Sequence, residues 1–351
     1  MAMRHPRLDS LNNAACADGD HCHENELMHR CASKALRRLR ACLLLFCFAG
    51  MAGQVHPAES TRQDLVRDNR VLEIHISTQF SENMRQNLVE WLNFIATSLQ
   101  QVYGRWPRQR WQISVAPTSA GSADPIPWAQ VHRGEPDRVE FFTAARASVA
   151  ELKRAWTSYH ELAHLLIPYR GYGDAWFSEG LASYYQNILQ ARSGVITEQQ
   201  MWQKLYDGYQ RGLAESTFDG MALQEASRQM RQQGGFMRVY WSGAWYFLAA
   251  DARLRQQSGG KYTLDTALEK LNACCADQQL SVPEIVSRLD QLNRVILFQG
   301  LYEELVTSTS IPPYEPIYAS LGIALDNGKV VLQGSGPGAR LRQQIASGKT
   351  L

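Results

Sequence analysis

The stretch HELAH at residues 160–164 is the part of this sequence from which its fold and chemistry are most directly inferred. It lies in a run whose apolar spacing predicts a helix over residues 148–167. Residues four apart on a helix share one face, so the imidazoles of His160 and His164 can bind one metal ion. Glu161, next to them, is positioned to take a proton from a water that such a metal activates.

A third metal ligand is available on the next predicted helix, which spans residues 175–190. Glu179 follows His164 after 14 intervening residues, and a turn rich in Gly and Pro (168–173) lets the second helix fold back across the first. A catalytic zinc takes three protein ligands and keeps one position open. We therefore predict one Zn²⁺ per chain, bound by His160, His164 and Glu179. The alternative is that both histidines are structural residues of an ordinary helix.

HELAH and the segment WFSEGLASYY at residues 176–185 resemble the gluzincin metallopeptidases, most closely the aminopeptidase N and glycyl aminopeptidase families. The resemblance implies a thermolysin-like zincin catalytic domain in which Glu179 is the third zinc ligand. VYWSGA at residues 239–244 is similar to the Y-x-K-G-A segment of these families, which implies that Tyr240 hydrogen-bonds the tetrahedral intermediate. A phenol suits this role because it can donate to a developing oxyanion. The alternative for Tyr240 is a core position on an aromatic-rich helix.

Two of the departures of this chain from these families concern their motifs. Ser242 stands where they have lysine, and no G-x-M-E-N segment precedes HELAH. The glutamate of that segment binds the substrate's free amine in aminopeptidase N relatives. Glu140 is the nearest acidic candidate for this role, with a solvent-facing strand position as its alternative. The resemblance, which covers roughly residues 70–325, therefore implies a peptidase more strongly than an aminopeptidase.

The residues leave two other functions open besides a peptidase acting on a peptide or protein. One is a non-catalytic exported binding protein on a peptidase scaffold, and the other is a zinc hydrolase of a non-peptide substrate. Ser183, one turn after Glu179, is a candidate to hold one of the two histidines, with simple packing as its alternative. We expect substrate backbone to pair with a strand near residues 138–142.

Upstream of HELAH, the apolar pattern predicts a small sheet and one helix. The strands are expected at 71–76, 111–115, 128–133 and 138–143, and the helix at 81–103. Downstream the pattern is helical, at 197–214, 223–232, 237–257, 264–273, 282–292 and 296–306. The sequence thus predicts an α+β fold, in which an α/β lobe with a small mixed sheet (54–147) precedes a helical zinc-peptidase lobe (148–310) and a C-terminal tail (311–351).

The amino-terminal residues 1–53 have the composition of an over-extended start followed by a signal peptide. Met28 precedes a basic cluster, and an apolar run at 41–53 ends in small residues. We expect cleavage near Ala52 or Gly53 and export to the periplasm or the medium. An uncleaved segment that anchors the chain in a membrane is the alternative.

Charge and cysteine content restrict the partners and the redox chemistry. Residues 54–351 carry 29 Lys and Arg against 29 Asp and Glu, so electrostatics gives no reason to expect nucleic acid as a partner. The same residues hold only two cysteines, Cys274 and Cys275, which we expect to be free thiols because adjacent cysteines rarely bridge without strain. The sequence gives no basis for predicting an oligomeric state.

Overall fold

The structure is a computed structural model of the 351-residue chain, and it describes residues 59–118, 123–169, 171 and 173–349. Its first part is a five-stranded sheet with the order β1-β2-β3-β5-β4. The strands are β1 (Ser60–Arg67), β2 (Arg70–Ser77), β3 (Arg110–Pro117), β4 (Trp128–His132) and β5 (Asp137–Thr143). The pairs β2-β3 and β3-β5 are parallel, whereas β1-β2 and β4-β5 are antiparallel. This confirms the small mixed sheet.

Strand β1 was not predicted, because its sequence, STRQDLVR, is polar and mostly exposed. It forms by pairing with β2 along its whole length. Asp68 and Asn69 join the two strands with positive φ at both positions, the backbone of a two-residue hairpin turn whose twist matches the strands.

One face of the sheet is covered by helix α1 (Glu82–Tyr103). The Ser81 hydroxyl accepts from Met84 N–H at the start of α1, and Gly104 adopts positive φ at its end. Apolar side chains of the helix and the strands interlock on this face; fully buried examples are Leu72, Ile74, Trp91, Leu92, Ile95, Ile113, Val139 and Phe141. Apolar and polar residues therefore alternate along the strands, and the polar residues lie on the opposite face of the sheet.

The edge strand nearest HELAH is β4. Strand β5 lies between β3 and β4 and pairs with both, so the expectation that a strand near 138–142 binds substrate by edge pairing is wrong. The predicted hairpin connection between β4 and β5 is present. This hairpin places β4, the shorter strand, at the edge of the sheet and β5 next to it on the inner side.

The helix predicted at 148–167 is broken into α2 (Val149–Arg154), α3 (Trp156–Ala163) and a 3₁₀ turn (His164–Leu166). The break falls at Ala155, whose ψ of 115° is extended. The Tyr159 hydroxyl donates to the carbonyl of Lys153, and the Gln190 amide donates to that of Arg154. Side-chain hydroxyl and amide groups therefore satisfy carbonyls that a continuous helix would have used.

The helices predicted further along the chain are all present. They are α4 (Ala175–Arg192), α5 (Glu198–Ala214), α6 (Leu223–Gln233), α7 (Phe236–Ser258), α8 (Leu264–Cys275), α9 (Val282–Asn293) and α10 (Phe298–Val306). No helix in the described part of the chain is long and apolar enough to cross a bilayer. The apolar run at 41–53, on which the signal-peptide prediction rests, lies outside the described residues.

The C-terminal segment contains elements that the sequence did not predict: α11 (Glu315–Ser320), β6 (Ile323–Asp326), β7 (Lys329–Leu332) and α12 (Pro337–Ser347). Pro337 begins α12 directly after Gly336, whose φ is 107°. The buried Arg342 donates to the carbonyls of Gly322 and Gln333 and pairs with Glu198 of α5. These contacts tie the segment to the helical lobe.

Cys274 and Cys275 are joined by a disulfide at the end of α8. This corrects the expectation of two free thiols. Bridges between neighbouring cysteines are uncommon, and whether one forms depends on the backbone at the helix end, which residue spacing does not reveal.

Candidate active site

The predicted metal ligands converge at the junction of α3 and α4. The Nε2 atoms of His160 and His164 lie 3.1 and 3.6 Å from one carboxylate oxygen, Oε2, of Glu179. The two imidazole rings are nearly perpendicular, with centroids 5.1 Å apart. Ligand atoms of His160, Glu161 and His164 also lie within 4.8 Å of one another. The structure thus brings all four residues together.

These separations fit a zinc ion. Bonds of about 2.0–2.1 Å in a tetrahedral arrangement place neighbouring ligand atoms roughly 3.3 Å apart, and the observed distances to Glu179 lie close to that value. Two imidazoles and one carboxylate form a typical ligand set for a catalytic zinc that keeps a fourth position open. His160, His164 and Glu179 are therefore the residues that would hold it.

The remaining nitrogen of each imidazole has its own partner. His160 Nδ1 lies 2.8 Å from the amide oxygen of Gln186, and His164 Nδ1 lies 2.8 Å from the hydroxyl of Ser178. Because the Gln186 oxygen can only accept, His160 must carry a proton on Nδ1, which leaves Nε2 free for a metal. Gln186 and Ser178, rather than the expected Ser183, orient the ligands.

The sequence places both residues within reach of the two imidazoles, although it does not show that they contact them. Ser178 directly precedes Glu179, and Gln186 follows it by seven residues, which is two helical turns on the same face. Ser183, the residue expected to hold a histidine, lies only one turn after Glu179. Ser183 is buried in the packed part of α4.

The charges of the three ligands depend on one another. Burial lowers the pKa of His164 to about 3, so this imidazole is neutral and ready to coordinate. Burial opposes the charge of Glu179, but the two imidazoles and the hydroxyl of Tyr240 outweigh it and lower the pKa of this carboxyl to about 2. Burial also disfavours charge on His160, yet contact with Glu179 leaves its pKa above the ordinary value.

Glu161 is half-buried beside the ligands and is held by the edge strand. Burial raises the pKa of its carboxyl to about 7; the charge of His160 opposes this rise and that of Glu179 adds to it. The backbone N–H of Val131 in β4 donates to the carboxylate. A carboxyl that exchanges its proton near neutral pH is well matched to general acid–base work.

Tyr240 reaches the same site from α7. Its hydroxyl hydrogen-bonds Glu179, and its ring stacks on that of His160 at a centroid distance of 6.0 Å. Burial raises the pKa of the Tyr240 hydroxyl well above its ordinary value, so the phenol stays protonated and can donate. The tyrosine is partly buried against the core, but its polar end faces the metal ligands.

Arginine residues stabilise the end of α3. Arg133 donates to the carbonyl of His164, and Arg108 donates to that of Ile167 at 3.0 Å. Asp137 pairs with both arginines, at 2.9 Å to Arg108 and 3.3 Å to Arg133. Cationic side chains that donate hydrogen bonds to the free carbonyls at a helix C-terminus stabilise that end, so these residues fix where His164 ends the helix.

Glu140 does not reach the site. It lies on β5 between Val139 and Phe141, whose side chains are fully buried against α1, so it points to the opposite face of the sheet. There its carboxylate lies 3.0 Å from Nε2 of His132. The alternative reading of Glu140, a residue of the outer sheet face, is the one that the structure favours.

Comparison with known proteins gives one family match and several structural neighbours. Residues 171–261 match the model of the M61 glycyl aminopeptidase family. The fold is similar to that of an aminopeptidase N family protein from Idiomarina loihiensis, with a TM-score of 0.56, 16% identity, and coverage of 76% of this chain and 49% of the other. An M1 zinc metallopeptidase from Deinococcus radiodurans gives a TM-score of 0.47 at 15% identity, covering 73% of this chain and 52% of the other. The comparison with curated proteins finds no match.

The fold and the arrangement of the site define a zincin-like α+β protein. The family match and the shared fold show that the chain resembles the gluzincin aminopeptidases, as the sequence predicted. The chain spans about half the length of the structures that it matches. At 16% identity the likeness establishes the fold, and the activity has to be argued from the site.

Proposed function

We propose that this chain is a zinc-dependent metallopeptidase that is exported and hydrolyses peptide bonds. The observation that carries the proposal is the convergence of His160, His164 and Glu179, with Glu161 anchored beside them by Val131 of the edge strand. The match to the glycyl aminopeptidase model supports the same class of reaction.

A zinc ion bound there supplies a Lewis acid, which polarises a carbonyl and lowers the pKa of a coordinated water. Glu161 takes the proton of the attacking water and passes it to the leaving amine. Tyr240 donates a hydrogen bond to the carbonyl oxygen as negative charge develops on it. Gln186 and Ser178 keep the two imidazoles oriented while this happens.

The edge strand β4 is the surface that we propose for the substrate backbone. Since the N–H of Val131 points outward to Glu161, that of Ala129, two residues earlier, faces the same way. Both lie beside α3, because β4 packs against that helix. An extended peptide that pairs with β4 is thereby placed alongside the metal ligands.

The finer proposal is an aminopeptidase, which the family match supports. Such an enzyme needs an anion for the substrate's free amine. Strand β4 carries no acidic residue, and Glu140 faces away from the site. The anchor has to come from another element, so the cleavage pattern decides between an exopeptidase and an endopeptidase.

The test is a mass-spectrometric cleavage profile of the chain from about Gln54, incubated with free and amino-blocked peptides. We expect cleavage that Glu161→Gln lowers by about 10²- to 10⁴-fold while zinc stays bound. Loss of single residues from free amino ends alone would establish an aminopeptidase, and internal cuts an endopeptidase. Full activity of Glu161→Gln, or no cleavage by the zinc-loaded parent, would refute the proposed peptidase mechanism.

Export is tested separately. Expression of the full chain in a bacterial host, followed by intact-mass measurement of the periplasmic and secreted fractions, should give a product that starts near Gln54. A product that keeps residues 41–53 and sediments with membranes would favour the anchored form instead.

A further inference from the structure

Tyr240 comes from a different helix than the metal ligands. His160 and His164 belong to α3 and its end, and Glu179 belongs to α4, whereas Tyr240 lies in the first turns of the 23-residue helix α7. The position of its hydroxyl therefore depends on two properties of α7: its distance from α4 and its rotation about its own axis.

The distance is set by two glycines. A Cβ built on Gly180 of α4 would lie 2.3 Å from the Cα of Gly243 in α7 and 2.8 Å from the backbone nitrogen of Ala244. A Cβ on Gly243 would lie 1.9 Å from the carbonyl oxygen of Trp176. Real side chains do not tolerate such approaches, so the backbones of α4 and α7 touch where neither residue has a side chain. Gly180 directly follows Glu179.

The rotation of α7 about its axis is set by Trp241, whose side chain packs against two glycines of α5. The ring of Trp241 lies over Gly208 of α5, where an added Cβ would approach its atoms to 2.0 Å. A Cβ built on Gly212, one turn later, would lie 2.8 Å from the Cβ of Trp241. Trp241 is 3% exposed, so the ring is enclosed at this position.

Helix geometry connects these two contacts to the site. Consecutive residues are about 100° apart around a helix, so Trp241 and Gly243 flank Tyr240 on either side. With Trp241 directed at α5 and Gly243 against α4, the remaining direction for Tyr240 is towards His160 and Glu179. That is where its ring and hydroxyl are found.

We propose that Gly180, Gly208 and Gly243 are positioning residues that hold the Tyr240 phenol against the metal ligands. The first and third set the separation of α4 and α7, and Gly208 sets the rotation of α7 by receiving Trp241. The inference rests on the proposed function only in that Tyr240 supports the oxyanion. The contacts among the three helices are observed independently of that role.

The test uses Gly208→Ala, because this added methyl meets a side chain rather than backbone. Gly300→Ala is the matched control, since Gly300 is also helical and has no atom within 4 Å of its Cβ position. Tyr240→Phe should lower kcat about a hundredfold. We expect Gly208→Ala to lower kcat at least tenfold with KM and zinc content nearly unchanged, and Gly300→Ala to match the parent.

Two double variants show whether Gly208 acts through Tyr240. In the Tyr240→Phe background, Gly208→Ala should cause no further loss of kcat. Trp241→Phe removes the ring atoms that the new methyl would meet, so it should restore activity to Gly208→Ala. The proposal is overturned if a folded, zinc-loaded Gly208→Ala enzyme is fully active, or if its loss is equally large without the phenol.

A stability measurement keeps the proposal testable when no substrate is cleaved. Removing the Tyr240 hydroxyl from the parent should lower the free energy of unfolding, because its hydrogen bond to Glu179 is lost. The same change in Gly208→Ala should have no effect, since the phenol is already displaced. Equal losses in both backgrounds would refute the positioning role, whereas coupled losses without any peptidase activity would refute only the proposed function.

Discussion

At the scale of single residues, the site is a set of short contacts around two imidazoles. Each Nε2 faces Glu179, and each Nδ1 has a neutral partner, Gln186 or Ser178. Neutral partners fix the orientation of a ligating histidine without placing a further negative charge beside the metal. Within the part of the chain that the structure describes, the carboxylates beside the two imidazoles are those of Glu179 and Glu161.

Gln186→Leu tests this arrangement. It removes the acceptor for His160 Nδ1–H inside a buried site, so the imidazole loses its fixed orientation. We expect zinc affinity to fall by about 10- to 100-fold, measured by competition with a chromogenic chelator. Ser183→Ala, a buried position on the same helix, is the control and should bind zinc like the parent. Equal affinity of Gln186→Leu and the parent would contradict the role of Gln186.

At the scale of secondary structure, the end of α3 is stabilised by parts of the sheet lobe. Arg133 lies just after β4, Arg108 just before β3, and Asp137 begins β5. Asp137 is almost fully buried between the two arginines. Burial would raise its pKa, but Arg133 and Arg108 outweigh burial and hold the pKa of Asp137 below its ordinary value.

Asp137→Asn removes the carboxylate that pairs with the buried Arg108, so we expect a loss of about 3 kcal/mol in the free energy of unfolding at pH 7. A carboxyl with a lowered folded-state pKa stabilises the fold above its unfolded pKa of about 3.9. That stability is lost as pH falls through the folded value. Urea titrations from pH 7 to pH 3 should therefore show the parent and Asp137→Asn converging in acid.

Asp64→Asn is the control for the same measurement. Asp64 is paired with Arg62 on the exposed edge strand β1, where water screens the pair. Its replacement should leave stability near that of the parent at neutral pH. A pH-independent difference between Asp137→Asn and the parent would show that the Asp137 charge is not the cause.

At the scale of the whole molecule, the metal ligands and their neighbours connect several elements. The ligands come from α3 and α4, Glu161 is anchored on β4, and Tyr240 comes from α7. A ligand that binds only the folded state stabilises it in proportion to the logarithm of its concentration. Zinc should therefore stabilise the contacts between the sheet and the helices as well as the site.

We expect chelation of zinc to lower Tm, and free zinc at a thousand times Kd to add about 4 kcal/mol to the stability of the metal-free protein. Differential scanning fluorimetry with buffered zinc measures this shift. Glu179→Gln removes a ligand and should abolish most of the shift, whereas Glu161→Gln should keep it. A shift that survives in Glu179→Gln would place the metal elsewhere.

Much of the helical lobe could be predicted from the sequence, because helix periodicity and caps are local signals. The bounds of α4 to α10 lie within a few residues of the expected ones. The C-terminal elements α11 to α12 are short or polar, and they exist through contacts such as those of Arg342 with Gly322, Gln333 and Glu198. Periodicity does not reveal contacts of this kind. The division of the chain at residue 147 stays a prediction.

The sequence by itself determined which side chains meet at the site, since HELAH places two imidazoles one turn apart, with a carboxylate next to the first, on any helix that contains it. The next predicted helix offered Glu179 as a third ligand, and the resemblance to a known family supported it and supplied Tyr240. Only the tertiary structure decided which strand is the sheet edge, which side of the sheet Glu140 faces, and that Gln186 and Ser178 hold the ligands. These features depend on contacts between residues distant in the chain, and such contacts are fixed by packing rather than by local spacing.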